Sequence, residues 1–299
     1  MGAGDHVRLR PFDATDVDWW IDLRMRIDPS MGEAALRRGA EGGAVRFERR
    51  TMAEVGGARA GVGTVARPVD EVRPSLLVAV DEPFQGRGIG SILFADCWPA
   101  VAHDPEVTAF LIDGDPRSLE VARHWGFDVV SHGILSRLVT LPALPPVVPD
   151  GTALLVVDDA IGATPDQDAL LADLVDVSDT SPERVELGWN TTPDTFRRFF
   201  ASMVWVVAVV DGVPAAVTSG APQPGGCWTV IFSGTRPDHR GRGLARLVKD
   251  ALHAEVRRRG GTDVETMNEE RNVAIRALNT SLGYEACSGE YRLRRVNAV

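Results

Sequence analysis

The chain has 299 residues, 44% hydrophobic and 25% charged, which suits one large globular domain or two of ordinary size. Its net charge of −10 repels phosphate backbones and argues against a nucleic-acid partner; it either attracts a cationic amine or serves solubility. No apolar run reaches the roughly 20 residues that span a bilayer, and MGAGDHVRLRPF at the start has neither the apolar core of a signal peptide nor a myristoylation serine, so no membrane partner and a cytoplasmic address are expected.

In chain order, His6–Arg10 reads as a short strand. Residues 14–27 read as a helix, with Asp13 or Thr15 as N-cap. Val45–Val55 and Arg59–Ala66 form a hairpin about Gly56-Gly57. Leu76–Val80 is a buried strand. Ile89, Leu93, Phe94, Cys97, Trp98 and Val101 recur at helical spacing. Val107–Ile112 is a strand, Arg117–Trp125 a helix stopped by Gly126, and 127–139 supplies the last strands of the half. LPALPPVVPDGT (141–152) then holds four prolines and a glycine. Proline donates no N–H and restricts its neighbours, so an extended linker is expected there, dividing the chain into 1–144 and 145–299.

The second half repeats the order. Leu154–Val157 is a strand, and 167–177 and 192–203 are helices. Val204–Val210 and Ala215–Ser219 are strands turned at Asp211-Gly212. Thr229–Ser233 is a buried strand. Leu244, Leu247, Val248, Ala251, Leu252 and Val256 form the stripe of a helix ended by Gly260-Gly261. Asp263–Met267 is a strand, Ala274–Leu282 a helix and Tyr291–Val296 a final strand. Alternating strands and helices with hairpins indicate an α+β fold with a mixed sheet.

The repeat is sharpest in LLVAVDEPFQGRGIGSILFADC (76–97) and VIFSGTRPDHRGRGLARLVKDA (230–251). Each is a buried strand, a proline-containing turn, a glycine-rich signature and a helix. Gln85-Gly86-Arg87-Gly88-Ile89-Gly90 and Arg240-Gly241-Arg242-Gly243-Leu244-Ala245 both fit [Q/R]-x-x-G-x-[G/A]. A turn without obstructing Cβ atoms lets backbone N–H groups converge where the following helix presents its positive end. A diphosphate is the natural occupant. Neither the dinucleotide fingerprint nor the P-loop spacing is met.

The chain therefore resembles the GNAT superfamily of acyl-CoA-dependent N-acyltransferases, twice over, and is similar to tandem members of the mycothiol-synthase kind. The resemblance implies two GNAT domains, each a mixed, mostly antiparallel, splayed sheet flanked by helices, with acetyl-CoA or another acyl-CoA as donor. The pantetheine arm would run along Val78 and Val80 in the first half and Ser233 and Thr235 in the second. The diphosphate would sit on residues 85–91, including Ser91, and on 240–246. A second family signature, an Asn before a helix ending in Gly-Phe or Gly-Tyr, is matched by Asn272 with Gly283-Tyr284; the first half has Asp115 there, with Gly126-Phe127. The tyrosine that many members use to protonate the departing thiolate is replaced by Ala122 and Asn279. Asn279 can donate a hydrogen bond but not a proton near neutral pH. The C-terminal copy is expected to be the working one.

The implied reaction is direct attack on the thioester by a neutral amine. Glu265 and Glu186 are candidate bases; each is alternatively a solvated surface carboxylate. A backbone N–H near Thr235 would polarise the carbonyl. Thr266 and Asn268 either line the site or cap the next helix. Trp189 and Trp228 are substrate walls or core. Cys287 is expected to be structural, and His239 to face solvent or phosphate. Cys97, Cys227 and Cys287 are far apart and odd in number, so neither a disulfide framework nor a metal site is expected. The acceptor would be the primary amine of a small molecule and the assembly a monomer or homodimer. The alternatives are protein or peptide N-acetylation and a non-catalytic acyl-CoA sensor.

Overall fold

The computed structural model describes residues 6–28, 33–41, 45–68, 73–158, 170, 172–173, 175 and 203–297. Glu186, Trp189 and nearly all of the two helices expected over 167–177 and 192–203 lie outside the described residues. The chain divides into two compact units, residues 1–132 with 289–299, and residues 133–288.

The first unit begins with β1 (Val7–Pro11), α1 (Val17–Ile27) and α2 (Glu33–Glu41). It continues through β2 (Val45–Val55), β3 (Ala58–Pro68), β4 (Ser75–Val80), α3 (Ile89–Cys97), β5 (Glu106–Ile112) and α4 (Pro116–His124), then enters β6 (Asp128–Leu138). Asp13 caps a short 3-10 turn ahead of α1, in a reciprocal arrangement with Asp16. β1 to β4 pair antiparallel in order. β4 and β5 run parallel, with one rung at Ser75 and Thr108.

The second unit has β7 (Thr152–Val157), β8 (Val204–Val210), β9 (Val213–Pro222), β10 (Cys227–Thr235), α5 (Leu244–Arg258), β11 (Asp263–Glu269), α6 (Val273–Ser281) and the start of β12 (Glu285–Val296). β7 to β10 pair antiparallel, and β10 and β11 pair parallel. The hairpin expected at Asp211-Gly212 is present, with φ of 52° and 82° at the two turn residues, as a type I′ turn needs. The α5 stripe of Leu244, Leu247, Val248, Ala251, Leu252 and Val256 packs on Val206, Ala208, Trp228, Val230 and Val264. Trp205, Val207, Val217 and Phe232 form a separate cluster.

The strand beside β5 and the strand beside β11 each come from the other half of the sequence. β5 pairs with Glu290–Val296 of β12, and β11 pairs with Gly133–Leu138 of β6. The chain thus changes unit inside two continuous strands, at 132/133 and 288/289, whereas the sequence suggested a cut at the proline-rich stretch. The final strand also begins earlier than expected, at Glu285 rather than Tyr291. Strand partners are chosen at long range, and nothing local in 127–139 or 285–296 specifies which sheet each joins. No helix among the described residues is long and apolar enough to cross a membrane.

Candidate active site

The two parallel strand pairs open in the same way. β10 and β11 hold register over Cys227–Val230 and Asp263–Thr266 and then part. β10 runs on to Thr235 paired only with β9, and β11 runs on to Glu269 paired with β6. A register shift between Val230 and Phe232 marks the point of departure. β4 and β5 part after their single rung.

A loop and a helix start lie beyond each opening, and their backbones are near duplicates. Gln85 and Arg240 share φ −65°, with ψ of 155° and 156°. Gly86 and Gly241 have φ of 74° and 76°. Gly88 and Gly243, the N-caps of α3 and α5, have φ of 79° and 76° and ψ near zero, and no side chain caps either helix. A Cβ at Gly88 or Gly243 would meet nothing within 4 Å, so the positive φ is what calls for glycine. The result is two helix starts whose first-turn N–H groups are left for an external acceptor.

The side chains of the signature close the loop rather than enter the cradle. Gln85 Nε2 donates to Val80 O, and Arg240 Nε to Thr235 O, each at 3.1 Å. Arg87 folds back to Pro83 O at 3.0 Å, and Arg242 to His239 Nδ1 at 2.9 Å. His239 thereby braces the loop. Leu244 is buried under α5, while Gly90 and Ala245 are half-buried and Ser91 exposed in the first turns.

Strand-edge geometry follows from alternation along the backbone. Asp81 N–H donates to Ala60 O on β3, and Arg236 N–H to Ala215 O on β9, each at 2.9 Å. One residue back, Val80 and Thr235 face the other way, into the opening, as do Val78 and Ser233. The Ser233 hydroxyl is 2.8 Å from that of Thr218, which fixes its side chain along the sheet.

The second signature places Asn272 at the N-cap of α6, accepting from Ile275 N–H at 3.3 Å. Asp115 caps α4 in the same way, from Arg117 N–H at 3.0 Å. The Ser118 hydroxyl and the first N–H groups of α4 hold the Asp115 carboxyl below the usual carboxylate range. Asn279 is 3% exposed, and its Nδ2 donates to Asn268 Oδ1 at 2.7 Å. Asn268 therefore binds α6 from the side instead of capping it. Glu265 pairs across from Thr229, inside the closed part of the sheet rather than along the opening. Its carboxylate is 3.7 Å from Arg137, which also holds Asp263 at 2.7 Å. Cys227, Asp263 and Glu265 bring potential ligand atoms within 4.8 Å of one another, but Arg137 supplies the countercharge. Burial and the neighbouring carboxylates push the Cys227 thiol up to about 12. Trp228 belongs to the core, and the Cys287 thiol meets Leu135 O at 3.5 Å.

Sequence reasoning passed over two cations. Arg246, in the first turn of α5, donates to Ser281 Oγ at 2.8 Å and so ties α5 to α6. The Arg117 guanidinium lies 3.3 Å from where a Cβ of Gly86 would sit, beside the first loop. Its position just after the Asp115 cap was the available signal.

A splayed parallel pair with an uncapped glycine-rich helix start defines an acyl-CoA-dependent acyltransferase fold. Residues 171–284 match the family model of the acetyltransferase (GNAT) family, and the chain as a whole has a tandem GNAT fold. No curated protein matches the chain in sequence. Among solved structures, a GCN5-related N-acetyltransferase from Sphaerobacter thermophilus is 18% identical with a TM-score of 0.76, covering 97% of this chain and 95% of its own. A tandem GNAT protein from the clavulanic acid biosynthesis pathway is 21% identical with a TM-score of 0.76, covering 98% and 99%. A GCN5-related glucosamine N-acetyltransferase region of a fungal multi-domain β-N-acetylglucosaminidase is 13% identical with a TM-score of 0.69, covering 98% of this chain and 38% of that protein.

Proposed function

We propose that this protein transfers an acetyl group from acetyl-CoA to the primary amine of a small molecule, with the C-terminal unit as the working copy. The supporting observation is the uncapped helix start at Gly243 beside a strand edge that has lost its parallel partner. The N–H groups of residues 241–246 would hold the diphosphate, and Ser233 and Thr235 would pair with the pantetheine amides through their main chain, with Asn272 beside them. Gly86–Ser91, Val78 and Val80 would offer the first unit the same grip. The thioester supplies an activated acetyl group. The chain's own part is to orient it, to polarise its carbonyl from the β10 backbone near Thr235, and to take the amine proton. Glu186 is the proposed base, since Glu265 lies beside Arg137 in the closed part of the sheet, and the buried Asn279 supplies no proton. A small acceptor accords with the glucosamine named for one structural neighbour and the natural-product pathway named for another.

Valine at residue 243 or 88 would meet a φ near +76° or +79°, which disfavours a β-branched residue by roughly 1–2 kcal/mol and re-aims the helix-start donors. Acetyl-CoA affinity by calorimetry and thiol release on a panel of amines including glucosamine are the readouts. Gly243→Val is expected to abolish both, and Gly88→Val to leave turnover. Loss of turnover only through residue 88 would transfer the active site to the first unit. Binding without thiol release from any amine would leave a sensor in place of a transferase.

A further inference from the structure

Trp125 ends α4 in the first unit, and its side chain is half-buried. A Cβ built on Gly90 would meet Trp125 Cη2 at 3.7 Å, Val80 Cγ2 at 3.8 Å and Trp125 Cζ2 at 3.9 Å. The far edge of the indole, the first turn of α3 and the end of β4 therefore meet at one point, in van der Waals contact. Gly90 is the last residue of the glycine signature, and Val80 is the strand-edge residue facing the opening. The ring thus stands between the seat of a diphosphate on residues 85–91 and the strand edge along which a pantetheine arm would run.

The ring is fixed there. It stacks on Phe94, with centroids 4.4 Å apart and planes 10° apart, and Phe94 stacks in turn on Trp98 at 5.3 Å. The Arg295 guanidinium lies 3.8 Å from the centre of the Trp98 ring and donates from Nη1 to Trp125 O at 2.5 Å. Ala122, one turn earlier on α4, is 8% exposed in the same cluster. Moving the indole aside would break the stack and the packing around it together.

The second unit has no such ring. Counting from the matched signatures, Gly90 corresponds to Ala245, Val80 to Thr235 and Phe94 to Lys249. Counting from the Gly126-Phe127 and Gly283-Tyr284 turns, Trp125 corresponds to Leu282. Leu282 is half-buried against the core under α5, and a leucine side chain ends well short of where an indole reaches. Lys249 offers no ring to stack on.

We infer that Trp125 closes the first unit to the pantetheine arm, so that the chain takes one acyl-CoA, at the second unit, although both glycine loops are intact. The inference rests on the acetyl-CoA reading of these loops and deepens it, by naming the residue that decides which copy is loaded.

The test is calorimetry of coenzyme A with the full chain, with circular dichroism to check that each variant is folded. The wild type is expected to bind one molecule per chain, and Gly243→Val none. Trp125→Leu puts the second unit's residue into the first and should raise the count to two. In Trp125→Leu combined with Gly243→Val one site should remain, and adding Gly88→Val should remove it. Trp125→Phe keeps a ring on Phe94 but lacks the two atoms nearest Gly90. It should also admit a second molecule, which decides the matter if the leucine variant fails to fold. Two molecules bound by the wild type would overturn the inference. So would a folded Trp125 variant that binds no more than the wild type, or a gained site that survives Gly88→Val. A wild type that binds none, beside a Trp125→Leu variant that binds one and loses it with Gly88→Val, would uphold the closure and refute the second-unit reading instead.

Discussion

Lys249 is the only lysine in the chain, and it is wholly buried on α5. Its Nζ has no hydrogen-bond partner and lies 5.3 Å from the centre of the Tyr284 ring. Burial lowers its pKa from 10.5 to about 8, a preference for the neutral amine of about 3 kcal/mol. The sign follows from proton counting. Between pH 8 and 10.5 the unfolded chain holds this proton and the folded chain does not, so stability falls as pH drops through that window. At pH 7 the whole penalty is present. Lys249→Met keeps the stem's volume and removes the charge, so it should stabilise the protein at pH 7 by about 3 kcal/mol. Urea unfolding at pH 7 and pH 10.5 measures this, with wild type and variant compared at each pH. The difference should shrink by about 3 kcal/mol at the higher pH. Buried thiols also ionise differently in the two states there, but that contribution is common to both proteins and cancels. A variant less stable than wild type at pH 7, or a difference that does not change with pH, would refute the reasoning.

Asp16 has no exposed surface and is held by Arg10 and Arg59. Burial alone would raise its pKa, but those bonds and the Asp13 N–H pull it well below the carboxylate range. Its stabilisation is therefore present above about pH 4 and lost as pH falls below that value. Asp16→Asn should cost about 3–5 kcal/mol at pH 7, read by urea midpoint. His253 donates to or accepts from Tyr284 Oη at 2.7 Å, and burial with Lys249 nearby lowers its pKa from 6.5 to about 3. Stability should then fall by about 2 kcal/mol between pH 6.5 and 5, and His253→Phe should flatten that slope in acid titrations of the Tm. A Cβ at Gly261 would come within 2.4 Å of Val256 Cγ1 and 2.9 Å of Trp228 Cδ1. Gly261→Ala should thus lose about 1–3 kcal/mol to overpacking, measured by thermal unfolding.

The local elements were readable because their signals are local. The turn at Asp211-Gly212, the α5 stripe and the two glycine signatures each depend on neighbours within a few residues. α2 went unread: Glu33–Glu41 has few apolar positions to set a period. The exchange of β6 and β12 between the units was invisible, since pairing depends on residues far away in sequence. At the site, the loop conformation followed from its glycines, and the strand-edge residues were implied by the family resemblance. The placement of Glu265 beside Arg137 did not follow, because the two are brought together only by the β6–β11 rung.

The two copies share a loop backbone but differ behind it. Counting from the matched glycines Gly88 and Gly243, Phe94 corresponds to Lys249 and Trp98 to His253; Phe127 and Tyr284 match after Gly126 and Gly283. In the first unit Phe94 stacks on Trp98 at 5.3 Å and on Trp125 at 4.4 Å. The same fold therefore fills this space with aromatic rings. The second unit fills it with a lysine, a histidine and a tyrosine, and Asn279 Oδ1 is a further buried atom without a partner there. The diphosphate grip proposed above uses main-chain N–H groups, so it constrains neither choice. Packing does not require the polar set, because the chain itself supplies an apolar solution at the equivalent positions. If Lys249→Met stabilises the protein and acetyl transfer by the second unit falls, the burial penalty of this lysine is tied to turnover; if transfer is unchanged, the polar set is a matter of packing history alone.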